Sequence, residues 1–438
     1  MMSTHSSPSG ETIGPGFRWF IFIFLFVVLS LAIPLNVFWT VEQQTIEGYI
    51  EVGREGLMQR RLALLALGLL SWVSFFSRKG MSLRIQGVLG FQILFFLLWT
   101  TISIIWAEDI ILTGKRLAVV FLLFSGAVAV AKQFSFNDIL KFTFLGCGFT
   151  LLAGFTAEMV LNTFNPFDVG YRFSGVMHSN GQGMNCAVLF ISAFVLARIE
   201  KNHRLFYRAA GLIAFLFLVL TRSRTATVSA LLALICFSVL ISSNRSKKIA
   251  YFLLAVMFTA CLSYFVFGEN IIAYIHSTAL LGRVEDSYAS TFIGRIELWN
   301  ECLKYLDHHP FLGYGYGSFW TPKRLAEIPL GQGWVFASAH SGYIEMLLGL
   351  GIIGGMAYLS ILITGITKSI SFYKRSGVIG YAFASVMLIW LFFNSITESI
   401  VIQSYIPNFV CFTCFVKLGF MESGFTQYPE AETIRSLT

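Results

Sequence analysis

The stretch ASAHSGYIEMLLGLGIIGG, Ala337 to Gly355, places a histidine directly before an apolar run that is rich in glycine. The run predicts a helix over 342–365, which is long enough to cross a hydrocarbon core of about 30 Å. His340 then lies at the mouth of a membrane helix. Its meaning depends on which other polar residues the chain carries to the same side of the membrane.

The apolar character extends over the whole chain. Of its 438 residues 56% are hydrophobic and only 12% are charged, unlike a soluble globular domain. Long apolar blocks recur, and the short alternating segments of an outer-membrane barrel do not. The fold is therefore predicted to be all-α and polytopic, a single membrane domain over 1–438. About twelve helices are predicted, at 17–39, 62–77, 86–106, 116–132, 139–161, 183–198, 205–221, 225–242, 248–268, 342–365, 376–395 and 399–419.

The net charge of +8 does not indicate nucleic-acid binding, because the excess Lys and Arg lie in short loops between apolar blocks. Basic loops orient membrane helices towards the cytoplasm. The most basic loops fall on one side of the predicted membrane, at 77–84, 199–204, 243–248 and 367–375. Both termini are then cytoplasmic. The opposite side receives the 162–182 loop, the 221–225 turn and one long loop over 269–341, between helices 9 and 10.

The long outer loop carries two recognisable segments. In 294–306, Ile296, Trp299 and Leu303 recur at helical spacing, which predicts a short amphipathic helix on the outer surface. The following HHPFLGYGYGSFW, 308–320, is typical of a tight loop at the membrane interface. A loop of this length is more often functional than a spacer.

Two kinds of site are not predicted. The adjacent histidines 308 and 309 have no Cys/His framework around them, so no metal site is expected. Six cysteines lie in apolar blocks and Cys302 is the only clear loop thiol, so no disulfide framework is expected.

Basic residues recur at the outer mouths of the predicted helices, where the positive-inside rule should deplete them. They are Arg172, Arg222, Arg224 and Arg295, with Arg116 as a further candidate. Their number predicts an anionic ligand at the outer leaflet. Arginine suits a diphosphate because its planar fork binds phosphate oxygens in pairs. The alternative is that each arginine reaches lipid headgroups or pairs with Glu297 or Glu398.

His340 is the candidate general base. A neutral imidazole accepts a proton near neutral pH, and neighbouring arginines would hold its pKa down. His178 is a second candidate. The chain has no phosphate-binding loop of the Walker type, and GYGYGS at 313–318 lacks the βαβ context of a dinucleotide site. No cofactor and no soluble nucleotide sugar is therefore predicted, and a lipid-linked donor fits better.

Four segments together resemble the O-antigen ligase and polymerase superfamily, inverting membrane glycosyltransferases of the GT-C type. They are RFSGVMHSNGQGMNCA at 172–187, LTRSRTATVSALLAL at 220–234, the 294–320 segment from GRIELW to GYGYGSFW, and AHSGYIEMLLGLGIIGG at 339–355. The likeness runs from about 90 to 420. The GYGYGSFW segment is most similar to the exopolysaccharide polymerases of this superfamily.

The resemblance implies that Arg224 and Arg295, with Arg172, contact the diphosphate of an undecaprenyl-linked oligosaccharide, and that His340 activates the hydroxyl of an acceptor glycan. Family members commonly have His-Asn where this chain has His340 and Ser341. The resemblance also implies the bacterial inner membrane, surrounding membrane lipids, no metal, no cofactor, and a chain-length regulator protein as a further partner.

Three functions stay open at this point. A polymerase transfers the glycan to another lipid-linked repeat unit, and GYGYGSFW favours this. A ligase transfers it to a lipid A core or a protein. A polytopic transporter or flippase of lipid-linked glycans could use the same outer arginines, although the halves of this chain show no matching pattern.

Overall fold

The computed structural model describes residues 58–76, 83–168, 171–241, 292–328, 338–399 and 405–422. The predicted helices 17–39 and 248–268 lie outside these ranges, as does the start of the long loop. The described residues form helices and loops without a strand.

Twelve α-helices are described, and they are numbered here in chain order. They are α1 Met58–Phe76, α2 Gly87–Ile102, α3 Ile110–Gln133, α4 Phe136–Val160, α5 Ser179–Ile199, α6 Arg204–Leu220, α7 Arg224–Ile241, α8 Phe292–Leu306, α9 Pro322–Glu327, α10 Gly342–Ser376, α11 Ile379–Asn394 and α12 Ile406–Phe420. A 3₁₀ turn, Ser103–Trp106, continues α2. Within the described ranges, seven helices are long and apolar enough to cross a membrane: α2 with its 3₁₀ turn, α3, α4, α5, α6, α7 and α10. The chain is an integral membrane protein.

Each predicted helix within the described ranges coincides with an observed one, but several ends differ. Helix α3 begins at Ile110 because the Asp109 side chain accepts a hydrogen bond from the Leu112 N–H and caps it. Arg116 therefore lies inside a helix rather than at its mouth. Helix α10 continues to Ser376, and α12 begins only at Ile406.

Helix α5 lies at the centre of the bundle and packs against α4, α6, α7, α11 and α12. Small and branched side chains such as Ala187, Val188 and Ile191 are fully buried along it, so neighbouring helices approach closely. Helix α10 packs against α2, α8 and α11. The two arrangements bring the first turns of α5, α7 and α10 to the same end of the bundle.

The glycine-rich run after His340 has a structural explanation. Helix α10 is interrupted at Gly351, which has φ 67° and ψ −171°. The interruption exposes backbone groups to the 310–315 loop: Tyr314 N donates to Leu348 O at 2.8 Å, and Ile352 N donates to Pro310 O at 2.8 Å. A Cβ at Gly351 would lie 2.1 Å from Phe311 O. Loop and helix therefore dock through their backbones, which only glycine permits here.

Replacing Gly351 by alanine is expected to undock this loop. Both the positive φ and the overlap with the Phe311 carbonyl oppose a methyl group, so we expect a loss of about 2–6 kcal/mol in unfolding free energy. Thermal unfolding of the purified protein in detergent measures it. Gly355→Ala is the matched control, since a Cβ there meets only the flexible end of Leu347. Equal melting temperatures for the two variants would contradict the docking.

Helix α8 covers the predicted short helix of the outer loop, but its buried face differs from the predicted one. Leu298 and Cys302 are fully buried, whereas Ile296 and Leu303 are exposed. The reason is that α8 packs on a small cluster of its own, which contains Tyr314, Phe319, Ala339 and Leu348. Cys302 is thus a core residue and not a loop thiol. All six cysteines of the described residues are free.

Candidate functional site

Three helices begin at one end of the bundle, and each begins next to a polar residue of the resembling segments. Helix α5 follows His178, α7 begins at Arg224, and α10 follows Ser341. A helix N-terminus has backbone N–H groups without helical partners and a positive partial charge. Three such ends close together favour the binding of an anion.

The turn between α11 and α12, residues 395–399, joins the three helix starts. Gly342 N donates to Ser395 O at 2.8 Å, which holds the first turn of α10. The hydroxyls of Thr225 and Thr397 are 2.7 Å apart, which holds the first turn of α7. Asn180 in the first turn of α5 donates to Glu398 Oε1 at 3.0 Å.

Two of the predicted arginines converge on Glu398. The guanidinium of Arg295 forms an ion pair with Glu398 Oε1 at 3.2 Å and donates to the carbonyl of Thr397. Arg172 donates to Asn180 Oδ1 at 2.8 Å, and Asn180 in turn donates to Glu398. The pairing of Arg295 with Glu398 is the structural alternative that the sequence left open. Burial raises the pKa of Glu398, and the charge of Arg295 opposes this shift.

Hydrogen bonds to Glu158 fix the loop that carries Arg172. Its carboxylate accepts hydrogen bonds from the N–H groups of Ser174 at 2.9 Å and Gly175 at 2.7 Å, and from the Tyr171 hydroxyl. Arg172 Nε also donates to Thr221 O at 3.2 Å. This last bond ties the loop to the turn before α7, so Arg172 lies beside the Arg222 and Arg224 segment.

Arg222 and Arg224 differ in their surroundings. Arg222 has φ 51°, a left-handed conformation that is uncommon outside glycine and is often found at functional sites. Arg224 is exposed and is the first residue of α7. A cation at a helix N-terminus is disfavoured by the helix dipole. A bound anion would therefore make the position of Arg224 more favourable.

His340 also has a left-handed backbone, with φ 48°. Its neighbours hold it in this conformation. Ala339 O accepts a hydrogen bond from Trp299 Nε1 at 2.9 Å, and Ala339 N donates to the carboxylate of Glu345. Glu345 is buried in the first turn of α10 and also accepts from Trp320 Nε1 at 3.1 Å. The backbone strain at His340 is thus maintained by contacts of the preceding residue, Ala339.

The imidazole of His340 is neutral at physiological pH. Burial, the positive charge of Arg295 and a smaller effect of His178 together lower the pKa of His340 to about 3. Burial removes the water that would solvate a cationic ring, and a nearby guanidinium repels it. The ring is consequently unprotonated over the whole neutral range.

His178 has a structural role. Its Nδ1 accepts a hydrogen bond from Asn180 N at 3.3 Å, and so it caps α5. A neutral imidazole that accepts at Nδ1 carries its proton at Nε2. In this tautomer neither nitrogen is a free base, so His340 is the better placed of the two histidines.

Arg116 lies next to the 313–320 loop. Its side chain packs against Gly317, where a Cβ would lie 3.0 Å from Arg116 Cγ. Burial raises the pKa of the neighbouring Tyr316 to about 12, and Arg116 opposes the shift. Arg116 is thus placed at the 313–320 loop rather than with the arginines around Glu398.

Sequence reasoning missed the 395–399 turn and the roles of Asn180 and Glu345. The available signal was the run of polar residues NSITES at 394–399 between two apolar helices. It was obscured because α12 was predicted to start at 399. Within the described ranges, His, Cys, Asp and Glu side chains form no group of three or more that could hold a metal ion.

Residues 209–359 match a family model described as O-antigen ligase. The matched range includes Arg222, Arg224, Arg295 and His340, and Arg172 lies before it. The predicted resemblance to the O-antigen ligase and polymerase superfamily is confirmed by this match. It supports a membrane glycosyltransferase of the ligase or polymerase type, for which the family implies a lipid-linked glycan as substrate. A comparison with curated proteins finds no match.

Proposed function

We propose that the protein is an inverting glycosyltransferase that takes a glycan from undecaprenyl diphosphate and transfers it to an acceptor sugar hydroxyl at the outer face of the bacterial inner membrane. Its product is a polysaccharide lengthened by repeat units. The observation that carries the proposal is a neutral histidine, His340, held in a left-handed conformation beside arginines and three helix N-termini. Such an arrangement suits a base next to a diphosphate.

The donor diphosphate would bind where the helix starts meet. Arg172, Arg224 and Arg295 would contact its oxygens, with Arg222 supporting the turn. When the bond between the anomeric carbon and the diphosphate oxygen breaks, its electron pair stays on the oxygen. Fixed guanidinium groups and N–H dipoles stabilise this growing charge without rearranging. Diphosphate is a good leaving group, so the proposal needs no general acid.

The acceptor hydroxyl would attack the anomeric carbon from the face opposite the diphosphate, which inverts the centre. His340 takes the hydroxyl proton as the new carbon–oxygen bond forms and later releases it to water. Ser341 does not replace the asparagine common in the family, since its hydroxyl donates to Ser395 O at 3.4 Å and caps α10. The 310–320 loop and α8 would position the acceptor.

A defined reaction tests the proposal. The full chain is purified, reconstituted in nanodiscs and given an undecaprenyl-diphosphate oligosaccharide as the only substrate, with a chelator and no nucleotide. Mass spectrometry of the lipid products should show a ladder of whole repeat units. If neither wild type nor the His340→Ala variant yields a ladder or a free oligosaccharide, the polymerase assignment fails.

The same assay separates the two other candidates. The matched family model bears the description O-antigen ligase, and this favours a ligase as the second candidate. Adding lipid A core as acceptor would then give a single glycosylated core product. A flippase or transporter would move the intact donor across the bilayer of a proteoliposome without any new glycosidic bond. A chain-length regulator protein, if it is a partner, would narrow the ladder when it is co-reconstituted.

The pH dependence of the reaction follows from the environment of His340. In the free enzyme the lowered pKa keeps the imidazole neutral, so kcat/KM should be flat from pH 8 down to about pH 5. Bound diphosphate would offset the charge of Arg295 and raise the pKa of the imidazole. The acid limb of kcat should therefore lie at higher pH than that of kcat/KM. An acid limb near pH 6.5 in kcat/KM would contradict a desolvated neutral base.

A further inference from the structure

A cationic pocket lies at the end of the bundle opposite the candidate site. Its cavity of about 400 Å³ lies between the first turn of α2 and the last turns of α10. Helix α10 has 35 residues and starts next to His340, so it carries Lys368 and Arg375 across the bundle to this pocket. The mechanism proposed above uses none of the residues that line it.

The pocket has the donors for a phosphate group. Lys368 and Arg375 line it together with the hydroxyl residues Thr367 and Ser371, and no Asp or Glu is among its lining residues. Lys368 Nζ donates to Gln86 O at 2.7 Å and to Leu418 O at 2.6 Å. Those bonds fix the ammonium between α2 and α12 and use two of its three N–H donors.

The first turn of α2 adds to this charge. Gln86 precedes the helix without a side-chain cap, and Gly87 and Val88 line the pocket. The first N–H groups of α2 therefore have no partner within the helix, and they belong to residues that line the same space as the two cations. Cavity, cations and helix start together form the site, which none of them would make alone.

The residues around the pocket suit a lipid ligand better than a soluble ion. Helix α2 presents exposed apolar side chains at Val88, Phe91 and Phe95, and α10 presents them at Met356 and Ile363. Each set repeats at helical spacing along a candidate membrane span and ends next to the pocket. Exposed apolar stripes on membrane helices contact acyl chains, and basic residues at their ends attract anionic headgroups.

We infer that this pocket binds the phosphate of an anionic phospholipid, whose acyl chains lie along α2 and α10. The lipid links the first turn of α2 to the last turns of α10. This inference does not depend on the proposed glycosyl transfer, because the two sites lie at opposite ends of α10 and share no residue.

Native mass spectrometry of the purified full chain in detergent tests the inference. The protein is titrated with dioleoyl phosphatidylglycerol, with dioleoyl phosphatidylcholine, which carries no net charge, and with inorganic phosphate. Wild type should bind one phosphatidylglycerol about tenfold or more tightly than phosphatidylcholine, since each cation near the surface contributes about fivefold. Equal binding of the two lipids would overturn the inference, as would displacement of phosphatidylglycerol by an equal concentration of inorganic phosphate.

Two variants localise the effect. Arg375→Gln should lower the preference for phosphatidylglycerol about fivefold, and it leaves the hydrogen bonds of Lys368 intact. Lys374→Gln is the matched control, because Lys374 is exposed, has the same charge and is the neighbouring residue, but does not line the pocket. If both variants lose the preference equally, the binding is general attraction to a basic surface and the pocket is not the site.

Discussion

His340→Ala is expected to lower turnover about 10²–10⁴-fold, the range that a positioned general base contributes, while the protein still inserts and folds. The imidazole is neutral and close to Arg295, and hydrogen bonds from Trp299 and to Glu345 hold the backbone of the preceding residue, Ala339. These backbone contacts do not involve the residue that is changed, so they should persist in the variant. The substrate KM should change little, because the base acts on the acceptor hydroxyl only during transfer.

The left-handed backbone gives a second and sharper test of the same residue. At φ 48° a glycine is unstrained, whereas histidine is disfavoured by about 1 kcal/mol or more. His340→Gly should therefore melt at the same temperature as wild type or above it, and be as inactive as His340→Ala. His308→Ala, at an exposed position after α8, should keep full activity. A His340→Gly protein with wild-type turnover would remove the base assignment.

The sequence predicts most of the helices because a membrane span leaves a strong signal. A helix in lipid needs an apolar run of about 20 residues. Runs such as 86–106 and 225–242 are recognised directly in the sequence. Helix ends are weaker signals. Helix α3 starts early because Asp109 caps it, and the polar residues Lys115 and Arg116 hid this start.

The parts of the site that escaped prediction depend on contacts between distant segments. Glu398 joins Arg295 and Asn180, which lie far away in the chain, and spacing along one sequence does not reveal such a junction. The interruption of α10 is another case. The glycines of LLGLGIIGG were visible, but the partner loop 310–315 that requires Gly351 was not. Glu345 lies in an apolar run, and its place in the sequence does not reveal its contact with Ala339.

Arg224→Lys is expected to lower kcat/KM about 10–100-fold, because a planar guanidinium can bind two phosphate oxygens at once and an ammonium cannot. The loss should affect the donor and not the acceptor. Arg224 suits this test better than Arg295, whose ion pair with Glu398 also supports the 395–399 turn. A change at Arg295 would therefore mix folding with binding, whereas Arg224 is exposed at the start of α7.

The matched control for this change is Arg208→Lys, at an exposed position in the first turns of α6. Helix α6 begins at the end of the bundle where α5 ends, so Arg208 lies away from the candidate site. It should keep wild-type kinetics. Shortening the donor to a monophosphate should reduce the difference between Arg224 and its lysine variant, since a single phosphate offers fewer oxygens for a bidentate contact. If Arg224→Lys turns over both donors as wild type does, the diphosphate binds elsewhere, and Arg172 and Arg295 become the residues to test.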